Sequence, residues 1–91
     1  MKRYAVNPAV SLREELDGAL LYNPDTDDVL LINETGRLIW DAIAQPQTSE
    51  EIAAHLEANT EGAVNAHADV EAFIESLLPD FAVIYDEPIA P

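Results

Sequence analysis

Oxygen-bearing side chains at alternating positions are the first chemistry this sequence offers. Asn23, Asp25 and Asp27, followed by Glu34, stand at relative positions 1, 3, 5 and 12 of a calcium loop, with apolar Leu30 at position 8. Position 6, where such a loop needs glycine for its sharp turn, is Asp28, and no amphipathic helix precedes the segment. The spacing therefore reads as a turn, not a metal site. His55 and His67 fall on different predicted helices, lack carboxylates at metal-ligand spacing, and read as solvated surface residues. Glu75-Ser76-Leu77 imitates the serine that carries phosphopantetheine, but it falls inside the last predicted helix rather than at the start of a second one. No serine has a base nearby in sequence, and there is no Gly-rich phosphate loop. The absence of cysteine excludes disulfides, thiol catalysis and thiolate metal sites. The sequence shows no catalytic constellation, and neither a cofactor nor an enzymatic activity is expected.

What remains is the chemistry of the backbone itself. Val29-Leu30-Leu31-Ile32 is an apolar run that passes through Asn33 into a helix. Four apolar residues in a row leave no polar face, so such a strand must be covered on both sides. With a hairpin before it, the strand stands at a sheet edge. An apolar edge without Lys or Pro is a template for another chain. This feature points to peptide binding.

The surrounding elements follow from local signals. Val10-Ser11-Leu12-Arg13 alternates apolar and polar residues as a half-buried strand does, and Asp17-Gly18 is a turn. Ala19 to Tyr22 forms a second strand, Asn23 to Asp27 a loop, and Asp28 to Ile32 the third strand. Short loops make these an antiparallel meander with strands one and three at its edges. Asn33 caps a first helix whose apolar stripe is Leu38, Ile39 and Ile43, with Trp40 beside them, and Pro46 breaks it. Thr48-Ser49-Glu50-Glu51 is a capping box opening a second helix to about Ala58, which buries Ile52 and Leu56. Asn59 to Gly62 reads as loop, and Asn65 caps a third helix through Leu78 with Val70, Phe73, Ile74 and Leu77 as its stripe. Pro79-Asp80 ends it, and Phe81 to Tyr85 forms a final strand or wing. The expected fold is α+β: a three-stranded antiparallel sheet, then three helices in a winged helix-turn-helix-like arrangement, with a C-terminal wing strand. Residues 1–86 form one domain and 87–91 a frayed tail.

Net charge is −14, and all four basic residues, Lys2, Arg3, Arg13 and Arg37, lie in the first 37 positions. From Leu38 onward there are eleven acids and no Lys or Arg. Duplex DNA would be repelled by that half, because affinity for nucleic acid comes largely from neutralised phosphates. The acidity serves solubility or complements a basic partner surface. No apolar run approaches the roughly 18 residues of a membrane helix, and Tyr4-Ala5-Val6-Asn7-Pro8 is no signal-peptide core. A cytoplasmic monomer with neither nucleic-acid nor membrane partner is expected.

The chain resembles the PqqD-like family, the RiPP recognition elements of ribosomal peptide biosynthesis. Asn7-Pro8-Ala9-Val10, Asp17 to Tyr22, and Leu31 to Trp40 carry the resemblance, followed by Thr48 to Ile52 and Asp69 to Leu77. Together these cover roughly residues 7–85 as an ordered set. One departure is Pro79-Asp80-Phe81, where the family usually has a Gly-containing turn into the last strand. The resemblance implies a small non-catalytic domain that binds the leader segment of a precursor peptide and presents its core to a modifying enzyme. That enzyme would be a radical SAM protein or, in lasso-peptide systems, a leader peptidase. The leader would add as a strand beside the third strand and lie against the third helix.

The expected peptide-binding residues are Asp28, Val29, Leu30, Leu31, Ile32 and Asn33 on the strand, with Asp69, Phe73 and Ser76 on the helix. Phe73 is the groove-lining candidate because Val70, Ile74 and Leu77 already make a core stripe, and Asp69 and Ser76 would rim the groove. Either Val29 with Leu31 or Leu30 with Ile32 packs on the helices. The competing arrangement has the wing or the N-terminal segment cover the third strand. From another functional class, a winged-helix DNA-binding regulator is the alternative, with the third helix, which has no Lys or Arg, as its recognition helix.

Overall fold

A computed structural model describes residues 2–59 and 66–86 of the chain. Its elements are β1 (Lys2–Val6), β2 (Ser11–Glu15), β3 (Gly18–Asn23), β4 (Asp28–Asn33), α1 (Glu34–Ala42), α2 (Ser49–Asn59), α3 (Ala66–Leu77) and β5 (Ala82–Asp86). Strands β2, β3 and β4 form the expected antiparallel meander in that order, and β4 is an edge. The turn needs glycine at Gly18, which has φ 151°; a Cβ there would stand 1.9 Å from the carbonyl oxygen of Ile32.

The helices cover one face of this sheet. Ala19 lies opposite Ile32 and Leu21 opposite Leu30, and all but the half-buried Leu30 are buried. Asn33 caps α1 as expected, its Oδ1 accepting from the Gly36 amide at 2.8 Å. Ile39, Trp40 and Ile43 meet Ile52 and Leu56 of α2 and Val70, Ile74 and Leu77 of α3 in one core. Full burial of a Leu or Ile such as Leu21, Ile39, Ile43, Ile52, Leu56 or Leu77 contributes roughly 1.5–3 kcal/mol. The capping box of α2 is reciprocal: Thr48 Oγ1 accepts from the Glu51 amide at 3.2 Å, and Glu51 Oε1 accepts from the Thr48 amide at 2.9 Å.

The N-terminal strand β1 is absent from the sequence-based reading. It pairs antiparallel with β5, making the wing a two-stranded ribbon rather than a lone strand. β1 also explains why α1 stops at Ala42, before Pro46. The Val6 amide donates to the Ile43 carbonyl at 3.0 Å, and Tyr4 and Gln47 exchange backbone hydrogen bonds of 2.7 and 3.0 Å. The linker after α1 is thus drawn out along β1. Phe81 belongs to the turn before β5, its amide bonded to the Leu77 carbonyl at 2.8 Å. The expected cap Asn65, most of the loop before it and the tail 87–91 lie outside the described residues. Among the described residues, no helix is long and apolar enough to cross a membrane.

Candidate functional site

The apolar run of β4 divides between two faces. Leu30 and Ile32 turn toward the helices, whereas Val29 and Leu31 are 57% and 69% exposed on the opposite face. Four consecutive apolar residues carry no alternation, so the sequence left the two registers equal, and the sheet's packing on α1 decides between them. The ribbon β1–β5 pairs within itself, so among the described residues neither the wing nor the N-terminal segment pairs with the outer edge of β4.

The orientation of the free backbone groups follows from one close approach. The Ile32 carbonyl points at β3, since it would collide with a Cβ on Gly18. In an antiparallel pair each residue directs both its N–H and its C=O to the same side, and successive residues alternate. Ile32, Leu30 and Asp28 therefore bond to β3. Val29, Leu31 and Asn33 present their backbone groups to the open edge.

Phe73 of α3 reaches Gly36 and Ile32 at the junction of β4 and α1. The ring is half-buried and lies 2.8 Å (Cε1) and 3.0 Å (Cζ) from the point where a Cβ on Gly36 would stand, with Ile32 Cβ 3.2 Å from the same point. Val70, Ile74 and Leu77 are buried, as expected of a core stripe. Asp69 precedes Phe73 by one turn and Ser76 follows it by nearly one, so both share its side of the helix. Both are exposed, and Ser76 Oγ donates to the Phe73 carbonyl at 2.6 Å. Beyond α3, the carboxyl groups of Asp80 and Asp28 share a hydrogen bond. This bond, then partial burial, then repulsion from Asp28 push the Asp80 pKa up. Phe73 thus stands by Ile32 near one end of β4 and Asp80 by Asp28 near the other, with half-buried Leu30 between.

Two asparagines that carried other readings hold this frame. Asn23 Oδ1 accepts from the Asp25 and Thr26 amides at 2.8 and 3.3 Å, so the calcium-like spacing is an Asx turn. Buried Asn23 also donates through Nδ2 to the Asp80 carbonyl at 2.6 Å, and Asn7 donates to the same oxygen at 3.1 Å. The only advance signals were an Asn before Pro at Asn7-Pro8 and at Asn23-Pro24. The Asn33 side chain is engaged by its cap. At His67, Glu71, one turn on, lies 3.7 Å from Nε2 and Glu50 lies 3.9 Å away. Both histidines are exposed.

A depression of about 600 Å³ opens at the Asn33 end of the edge, lined by Glu15, Asp17, Gly18, Leu31, Ile32 and Asn33. The structure therefore gathers Leu31, Ile32 and Asn33 there and brings Phe73 to Ile32, while Asp69 and Ser76 stand exposed on the Phe73 side of α3. An exposed strand edge facing a helix can take up an extended segment through main-chain hydrogen bonds, with alternate side chains in pockets.

Comparison with curated proteins gives no match. Among solved structures, the fold is similar to that of a lasso peptide synthetase B1 complexed with the leader peptide, at a TM-score of 0.71 and 21% identity, over 88% of this chain and 96% of that chain. The family described as coenzyme PQQ synthesis protein D (PqqD) matches residues 18–79, from the turn before β3 through α3 to Pro79. With more than half its length so matched, and with the meander and helices in the order its sequence indicates, the chain belongs to the PqqD family.

Proposed function

We infer that this chain binds the leader segment of a ribosomally made precursor peptide by strand addition at β4, and holds the precursor for a modifying enzyme without turnover of its own. The observation that carries this reading is the open edge of β4. Among the described residues no strand pairs with the outer side of β4, where Val29 and Leu31 direct their backbone groups and expose apolar side chains. The family match and the likeness to a leader-bound lasso peptide synthetase B1 support it. The modifying enzyme would be a radical SAM protein or a leader peptidase.

Tethering raises the local concentration of the precursor without altering the chemical step. The test is a modification assay with the enzyme encoded beside this chain. An intact leader–core precursor should be modified far faster when the protein is present, and a leaderless core should gain little. Equal stimulation of both substrates would mean that the protein acts on the enzyme and not as a tether.

A further inference from the structure

Resting on the strand-addition reading, we propose that β4 reads its segment on the outer face of the sheet as well as on the helix side, so that the segment is apolar at consecutive positions rather than at alternate ones. The register of the meander lines up three outer-face rows: Ser11, Tyr22 and Val29; Arg13, Leu20 and Leu31; Glu15, Gly18 and Asn33. Across the first two rows the polarity runs one way. The β2 residues are polar, with Arg13 bonded to Glu15 at 2.8 Å; the β3 residues Tyr22 and Leu20 are half-buried; the β4 residues Val29 and Leu31 are exposed. A partner lying flat on the sheet would meet the polar β2 side chains as well, whereas the apolar surface is bare at the β4 edge. Val29 and Leu31 have apolar neighbours on the β3 side and, among the described residues, no strand on the other. A strand added to β4 alternates its side chains between the two faces. Every second residue then stands beside Val29 or Leu31 on the outer face, and the residues between them face the side of Leu30 and Ile32.

The third row adds a volume. Gly18 brings no side chain to it, and its φ of 151° and the Ile32 carbonyl oxygen, 1.9 Å from where a Cβ would stand, keep it so. The Asn33 side chain is drawn off to the Gly36 amide. The depression of about 600 Å³ remains there, with Leu31 and Ile32 among the residues that line it. It is continuous with the open edge, so the segment residue next to Asn33 has room for a bulky side chain laid against Leu31. The ligand class is a short extended segment, apolar on both faces, with a large side chain at its Asn33 end. A segment alternating apolar and polar residues would leave Val29 and Leu31 in water. A second copy of this chain, also carrying −14, is disfavoured as the occupant by like charge.

The test selects binders from a displayed library of random dodecapeptides on the full-length protein and locates them by amide shifts of the labelled protein. Each position of one binder is then replaced by serine and titrated against the wild type and against V29T/L31T. Both altered side chains are exposed and threonine favours strands, so the variant should melt like the wild type. We expect a binder that shifts Val29 and Leu31 and loses affinity on serine replacement at consecutive positions. V29T/L31T should raise the Kd of the intact binder roughly three- to thirtyfold. On that variant the serine effects should vanish at one alternating set of positions and persist at the other. Serine at the position next to Asn33 should also abolish the shift of the Gly18 amide; a shift that persists would remove the depression from the site. Binders sensitive only at alternate positions, or indifferent to V29T/L31T, overturn the outer-face reading and leave strand addition standing. Binders that leave β4 unshifted, or an empty selection, count against strand addition and this inference together. A dimer of the protein alone that covers Val29 and Leu31 would overturn the inference by assigning the outer face to a second copy.

Discussion

Gly36 and Phe73 are in direct contact: the ring carbons Cε1 and Cζ lie 2.8 and 3.0 Å from where a Cβ on residue 36 would stand. A helical glycine at a buried position thus seats the ring that faces β4. Gly36→Ala gains up to about 1 kcal/mol of helix propensity but must displace the ring, at a typical overpacking cost of about 1–3 kcal/mol. The expected result is a net loss below about 2 kcal/mol. Phe73→Leu should relieve it, with a coupling of at least about 0.5 kcal/mol in a double-mutant cycle by urea unfolding. Additive effects would mean that the contact carries no strain.

Phe73 is neither wholly core nor wholly groove. Because the ring is half-buried, Phe73→Ala should destabilise by less than the roughly 3–5 kcal/mol typical of a fully buried ring. Leader affinity, measured on the folded variant by calorimetry, should fall by about 1–3 kcal/mol. A full core-sized loss of stability with unchanged affinity would remove Phe73 from the site.

Two prolines on adjacent residues of β4 should behave oppositely. Proline has no amide hydrogen, so it costs a ladder bond only where that hydrogen is paired. The Leu30 amide points to β3, and Leu30→Pro should disrupt the sheet by about 3 kcal/mol or more. The Leu31 amide points to the open edge, so Leu31→Pro should fold and lose leader affinity. Circular dichroism melts and leader titration of both variants distinguish the two positions, and reversed behaviour would reverse the assigned edge.

Acid should act on two carboxylates in opposite senses. The Thr48 amide and hydroxyl, with Arg3 further out, hold Glu51 below its usual pKa. Its folded-state value is below the unfolded one, so its contribution is present above the unfolded pKa and is lost as pH falls through the folded value. Asp80 is pushed up by its bond to Asp28, so its contribution favours the fold below the unfolded pKa and is lost as pH rises through the raised value. Melting curves across the carboxylate range should show Glu51→Gln losing part of the acid-side decline. Asp28→Asn should reduce the loss of stability on raising pH through the Asp80 titration. Thr48→Ala should cost about 1 kcal/mol at neutral pH through the lost cap.

Duplex DNA should not be bound with sequence selectivity. Helix α3, the recognition helix of the regulator alternative, carries Asp69, Glu71 and Glu75 and no Lys or Arg. Submicromolar selective binding in a gel shift at physiological salt would favour the regulator over leader binding.

Much of this architecture was legible because its signals are local. Asp17-Gly18 marks the hairpin, Asn33 and Thr48 with Glu51 mark the helix starts, and Val29 to Ile32 marks the bare edge. The unread parts depend on partners distant in sequence. β1 gains its strand character from β5, and its Lys2 to Val6 segment gives no clear alternation alone. Asn7 and Asn23 meet the Asp80 carbonyl across 73 and 57 positions. The contact of Gly36 with Phe73 joins two helices, and no sequence spacing announces it.

The open edge of β4 is the centre of the account, and amide chemical shifts with hydrogen exchange test it most directly. On titration of the labelled protein with the leader peptide of a precursor encoded beside it, the amides of Val29, Leu31 and Asn33 should shift and become protected from exchange. Those of Leu30 and Ile32, already bonded to β3, should change less. Saturable leader binding that leaves the amides of residues 28–33 unshifted, or that moves only the β1–β5 ribbon, would contradict strand addition at β4.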